Sequence, residues 1–90
     1  MARTMKDRVR DLTPRHREVV RLVSLGCSQL EIAAILKLHP STIDAHRQAA
    51  METLGVGKST LLTRLAIKHR ISSLNDQLTR SEKRKIARRK

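Results

Sequence analysis

The 90-residue sequence predicts an all-α fold: a bundle of four short helices followed by a basic tail. Three observations carry this. Phe, Tyr and Trp are absent, so the core must be Leu, Ile, Val, Ala and Met, which suits small helices better than a sheet. Capping residues and prolines mark helix starts, with apolar residues at helical spacing between them. No segment reads convincingly as a strand. At this length folding buries only roughly 60% of the unfolded surface, enough for one small domain but not for a deep catalytic cleft.

The first helix starts at Thr13-Pro14. Thr is a good N-cap, and Pro suits the first helical position because its missing N–H would be unpaired anyway. Val19, Val20, Leu22 and Val23 supply its buried face, and Gly26 stops it in a left-handed conformation. The second helix opens with a capping box, Ser28-Gln29-Leu30-Glu31, and buries Ile32, Ala33, Ile35 and Leu36. A short connection, Lys37-Leu38-His39, leads to Pro40 and a third helix that runs to about Thr53 before Gly55 ends it. The fourth begins near Ser59 and carries Leu61, Leu62, Leu65 and Ala66 on one face. A second stripe, Ile67, Ile71, Leu74 and Leu78, has heptad spacing, as if this helix continued to Leu78 and met a second chain. Ser72, Ser73, Asn75 and Asp76 are weak helix formers, so a break with a short helix capped by Ser73 stands beside that reading.

Twenty Lys and Arg against eight Asp and Glu give a net charge of +12. Such an excess points to a polyanionic partner, nucleic acid before membrane. Without aromatic rings the chain cannot read bases by stacking, which excludes the usual single-strand and RNA platforms. A single cysteine, Cys27, fits a reducing, cytoplasmic and nucleoid-associated setting. The longest apolar run, Ile32 to Leu36, spans no bilayer, and the charged N-terminus does not read as a signal peptide. The charge is uneven: residues 79–90 hold seven cations and one acid. The expected organisation is a flexible arm over 1–11, a folded domain over 12–71, and a helical extension or disordered basic tail over 72–90. Thr79 to Lys83 is able to cap a short helix there, with Ile86 as its apolar content.

Two short helices joined by a tight turn on a basic chain suggest a helix-turn-helix. At about 100° per residue, Ile43, Ala50 and Leu54 of the third helix fall together, with His46 beside them. Ser41, Asp44, Ala45, Gln48 and Glu52 face the other way, and Arg47 lies on a flank. Gln48 suits a bidentate pair with adenine, Asp44 can accept from cytosine N4, and Ala45 can touch a thymine methyl. Arg47, Lys58 and Ser59 suit phosphates. On pattern alone a merely solvated helix face explains these residues equally well.

Leu12-Thr13-x-Arg15-x-x-Glu18-Val19-Val20, then Gly26-x-Ser28-x-x-Glu31-Ile32-Ala33, resembles the DNA-binding domain of the LuxR/FixJ (GerE-like) family. Leu36-x-Leu38-x-x-x-Thr42-Ile43-x-x-His46, Leu54-Gly55-Val56, Ala66 and Ile71 continue the resemblance over residues 12–71 without gaps. A looser likeness to region four of sigma factors is disfavoured by the Gly26-x-Ser28 turn and Leu54-Gly55-Val56. The resemblance implies a four-helix LuxR-type bacterial transcription-regulator domain with the 40–53 helix in the major groove. It implies that Thr42 is a backbone-phosphate contact and local cap, that His46 packs inward, and that Asp44, Ala45 and Gln48 face bases. The expected DNA-binding set is Ser28, Gln29, Ser41, Thr42, Asp44, Ala45, Arg47, Gln48, Lys58 and Ser59. Pairing of two protomers through the fourth helix would use Thr63, Ile67, Ile71 and Leu74. Several family cations are missing: Asp44 replaces a lysine, Gln29-Leu30 an Asn-Lys pair, Thr53 a basic residue and Ser59 an arginine. His16 stands for a glutamate, and Arg70 for a glycine near the end of the fourth helix.

Other chemistry reads weakly. Gly57-Lys58-Ser59-Thr60 is half a phosphate-binding loop, but Glu52 stands where the leading glycine belongs. His16, His39, His46 and His69 lack close metal spacing. Cys27 reads as a turn residue more readily than as a redox switch. No nucleophile–base set or carboxylate pair stands where a cleft forms, so neither an enzyme nor a cofactor nor a small-molecule ligand is expected. The expected function is sequence-specific double-stranded DNA binding, as a homodimer, in transcription regulation. The alternative is a helix-turn-helix-derived interaction module that heterodimerises with another regulator without reading DNA.

Overall fold

The computed structural model describes residues 4–72 and 75–88. Six helices follow in order: α1 (Met5–Arg10), α2 (Pro14–Ser24), α3 (Gln29–Leu36), α4 (Pro40–Leu54), α5 (Ser59–Lys68) and α6 (Arg80–Arg88). There is no strand among the described residues. The four helices expected from the sequence are α2 to α5, and the starts of α2 and α3 carry the expected caps. The Thr13 hydroxyl accepts from the His16 N–H, and Ser28 and Glu31 close their reciprocal box.

α2 is the central element, packing on α3, α4 and α5. Its two sides feed two clusters. Val20 joins Val9, Leu12, Ala50, Met51, Leu54, Leu62 and Ala66, which binds α1, α4 and α5 together. Val19 and Leu22 join Ile32, Ala33, Ile35 and Ile43, which fixes α3 against α4. The second cluster sets the angle of the helix-turn-helix, and the first holds α4 from behind.

Two expectations change. Residues 5–10, expected within an arm, form α1, with a Thr4–Asp7 capping box and Val9 buried. Arg8 donates to the Leu54 carbonyl at 3.4 Å, and Arg17 to the Val9 carbonyl at 3.2 Å. The fourth helix does not continue to Leu78. It stops at Lys68, Arg70 turns left-handed (φ 61°), and the Ile71 N–H reaches back to the Ala66 carbonyl at 2.8 Å. That closure satisfies orphan carbonyls and redirects the chain. The heptad stripe is therefore divided. Ile71 packs on the first cluster and Leu78 on the second, while Leu74 and the Ser73 cap lie outside the described residues.

α6 starts from its own capping box, Thr79 with Glu82. It lies against α3, with Leu78 and Ile86 on the second cluster. Its tie to the body is Arg21. That guanidinium donates to Asp76 at 3.0 and 3.2 Å, to Glu82 at 2.9 Å and to the Gln77 carbonyl at 3.1 Å. Ser72, a buried residue four positions past α5, donates to Asp76 at 3.0 Å.

Candidate nucleic-acid interface

The α3–turn–α4 unit is built by local chemistry. Lys37 adopts the left-handed region (φ 57°), and the Leu38 N–H returns to the Ala33 carbonyl at 3.1 Å. α3 thereby ends abruptly, and Pro40 starts α4 only three residues later. The cap of α4 is His39, whose Nδ1 accepts from the Ser41 N–H at 3.1 Å. This corrects the expected cap role of Thr42, whose hydroxyl makes no hydrogen bond among the described residues. The connection had shown His39 only as a linker residue. Its place just before a helix-starting proline was the available signal. Gln29 pins the two helix starts together by donating from Nε2 to the Pro40 carbonyl at 2.8 Å.

α4 divides as its periodicity predicts. Ile43, Ala50, Met51 and Leu54 are buried, whereas Ser41, Ala45, Gln48 and Glu52 are exposed. His46 is half-buried against His16 of α2, with ring centroids 5.1 Å apart. Burial first, and the facing His46 second, push the His16 pKa below its ordinary value. The packed state thus favours the neutral His16 ring.

Arg47 is not a free cation. Its Nη2 donates to Asp44 Oδ1 at 2.6 Å, and its Nη1 donates to Ser59 Oγ at 3.2 Å. The pair neutralises the acid that stands on the reading face and ties α4 to the first residue of α5. Ser59 is half-buried, whereas Lys58, just ahead of α5, is exposed. Ser28 uses its oxygen to cap α3, leaving its hydroxyl proton available. The structure thus gathers Ser28, Gln29, Ser41, Ala45, Gln48, Asp44, Arg47 and Ser59 on and beside the helix-turn-helix. Leu30, on the first turn of α3, is exposed.

Of the residues expected to pair protomers, Leu74 lies outside the described residues, and the other three differ in their surroundings. Thr63 donates to the Ser59 carbonyl at 3.3 Å, and Ile71 packs into the core. Ile67 lines an apolar groove of about 530 Å³ with Met5, Val56, Leu61 and Leu65. Cys27 is half-buried, and burial followed by Glu31 and Glu82 pushes its thiol above the ordinary range, opposite to what a reactive thiolate needs. Ser59 opens a helix rather than closing a phosphate loop after a strand. No group of three metal-ligating side chains occurs among the described residues, and no helix among them is long and apolar enough to cross a membrane.

Comparison with known proteins bears on this geometry. The chain is 42% identical over 60 residues to the transcriptional activator protein BjaR1 of Bradyrhizobium diazoefficiens, covering 67% of this chain and 25% of that one. It is 37% identical over 62 residues to the transcriptional regulatory protein MctR of Rhizobium johnstonii, covering 69% and 29%. It is 43% identical over 53 residues to the transcriptional regulatory protein UhpA of Escherichia coli, covering 59% and 27%. The chain therefore spans less than a third of the length of these relatives. No solved structure matches it significantly. Residues 10–66, which hold α2 to α4 and most of α5, match the model of the luxR family of bacterial regulatory proteins. A helix-turn-helix with capped, mutually pinned helix starts and a polar outer face agrees with that match, and the chain belongs to the luxR family.

Proposed function

We propose that this chain reads double-stranded DNA sequence-specifically by placing α4 in the major groove. A DNA-binding regulatory role follows from the family, whose members are not enzymes. The finer reading rests on one observation. The outward row Ser41, Ala45 and Gln48 is exposed, and the acid beside it, Asp44, is already neutralised by Arg47. A groove-facing surface with one small residue and one amide suits close approach and adenine recognition. Lys58 and the Ser28 hydroxyl would meet flanking phosphates.

Selection from a random duplex pool tests this. A recurring motif is expected, and Gln48→Ala should weaken binding to it by about 1–3 kcal/mol and relax preference at one base pair. A pool without enrichment at moderate salt overturns the reading.

The groove of Met5, Val56, Leu61, Leu65 and Ile67 favours protein pairing through α5, as a homodimer on DNA. The same groove supports the interaction-module alternative, in which another regulator fills it and DNA is not read. Sedimentation with and without the selected duplex separates the two. A two-to-one protein–duplex complex supports the homodimer. Protein that neither enriches a motif nor pairs on DNA supports the module.

A further inference from the structure

The charge of α6 is sorted. The carboxylates that residues 75–88 carry, Asp76 and Glu82, both turn inward to Arg21. Arg80, Lys83, Arg84 and Arg88 stay exposed, and none of them forms an ion pair among the described residues. On one flank Lys85 and Arg88 meet Lys37, the residue just after α3, around Ala34, lining a shallow cleft of about 260 Å³. Three cationic side chains border this one cleft, so an anion placed at its mouth is attracted by all three. Arg84 lies one turn before Arg88 and extends the same flank.

The position of the cleft matters as much as its charge. Lys37 is the left-handed residue that ends α3, two residues before the His39 cap of α4. The start of a recognition helix is the part that points at base edges, so this turn lies near the duplex when α4 docks. α6 itself touches α3 and not α4. The cleft therefore flanks the reading face rather than obstructing it.

We propose that the α3–α6 cleft, formed by Lys37, Lys85 and Arg88, is a second contact site for the phosphate backbone of the duplex that α4 reads. The placement rests on the DNA-reading proposal above; the phosphate chemistry does not. Arg21 is the positioning residue. Its fork holds two acids at once, consumes the negative charge of the segment, and fixes α6 against α3. The site is thus a held surface rather than a loose basic tail. It supplies sequence-independent affinity to a domain in which Asp44, Leu30, Thr53 and Ser59 stand where the family's cations are missing.

The test uses the full chain and a labelled random-sequence duplex of about thirty base pairs, titrated across salt by fluorescence anisotropy. Combining Lys37→Gln, Lys85→Gln and Arg88→Gln should shrink the log–log salt slope by about 2–3, because each released phosphate contact is worth about 0.9. A control of equal charge, Lys6→Gln with Arg10→Gln and Lys68→Gln on α1 and α5, should change it by less than about one. Equal effects of the two triples, or no effect of the first, overturn the site. Arg21→Lys keeps the net charge but cannot hold both acids in one fork. It should reduce the slope toward that of the first triple while circular dichroism stays helical, and a wild-type slope overturns the held arrangement. The DNA-reading proposal fails separately. In that case the random duplex still responds to the cleft variants, but no motif enriches and Gln48→Ala is silent.

Discussion

Arg70 sits at φ 61° where the resemblance expects a glycine. A non-glycine residue in that region costs about 1–2 kcal/mol, partly offset because glycine is freer in the unfolded chain. Arg70→Gly should therefore raise stability by about 0.5–1 kcal/mol, read as a higher melting temperature by differential scanning calorimetry. The substitution touches little else, since Arg70 is exposed. Lys37 is held in the same conformation (φ 57°), but its side chain lines the cationic cleft, so there the strain accompanies a use. Asp44 illustrates what residue identity alone conveys. Its place on the outer face was legible from helical spacing. Its neutralisation by Arg47, and Arg47's second bond to Ser59 across the turn, were not. That pairing depends on where α5 starts relative to α4.

Helix ends are where local sequence speaks most clearly in this protein. α2, α3, α4 and α5 all close with a left-handed residue and a backward bond: Cys27 to Leu22, Leu38 to Ala33, Val56 to Met51, and Ile71 to Ala66. The two glycine ends were readable because glycine advertises that conformation; the Lys37 and Arg70 ends were not. Gly55 has a second constraint. A Cβ there would collide with the Arg8 guanidinium, which donates to the Leu54 carbonyl. Gly55→Ala should thus destabilise by about 1–2 kcal/mol through backbone strain and loosen α1 from α4 as well. Urea denaturation reads the first effect, and faster amide exchange over residues 5–10 reads the second. α1 itself was missed although its Thr4–Asp7 box is written in the chain. The charged run around it hides Val9, whose burial depends on a partner surface made by α4 and α5.

Across the whole molecule, acid should weaken the fold in two stages. The His16 pKa lies below its ordinary value of 6.5 because burial and His46 disfavour the imidazolium. The unfolded chain then binds more protons than the folded one near that pH, so stability is present above it and falls on acidification. His16→Gln should remove this upper stage. Asp76 and Glu82 lie below their ordinary values of 3.8 and 4.5. For Asp76 the Arg21 hydrogen bond is the leading cause. For Glu82, burial acts upward and is outweighed by the Thr79 N–H and by Arg21. Both are depressed carboxylates, so their contribution is present above those values and lost as pH falls further. Since they hold α6, its amides should lose exchange protection in this lower stage. The groove over Leu61 and the cleft over Ala34 lie on different elements, α1–α5 and α3–α6, so protein pairing and phosphate contact need not compete for surface.

By itself the sequence determined the helical class, the starts of α2 to α5, the glycine ends of α2 and α4, and the outer row of α4. Each of these depends on spacing or capping within a few residues, where chain neighbours suffice. Tertiary structure decided the rest. The stripe from Ile67 to Leu78 has heptad spacing, yet Ile71 and Leu78 enter different clusters, because the helix ends at Lys68 and Arg70 turns the chain just before Ile71. The basic C-terminal segment becomes a docked helix because Arg21, more than fifty residues earlier, faces Asp76 and Glu82. Periodicity records that a side chain has an apolar or charged face. Which surface that face meets depends on chain direction after each turn, and on partners that only folding brings together.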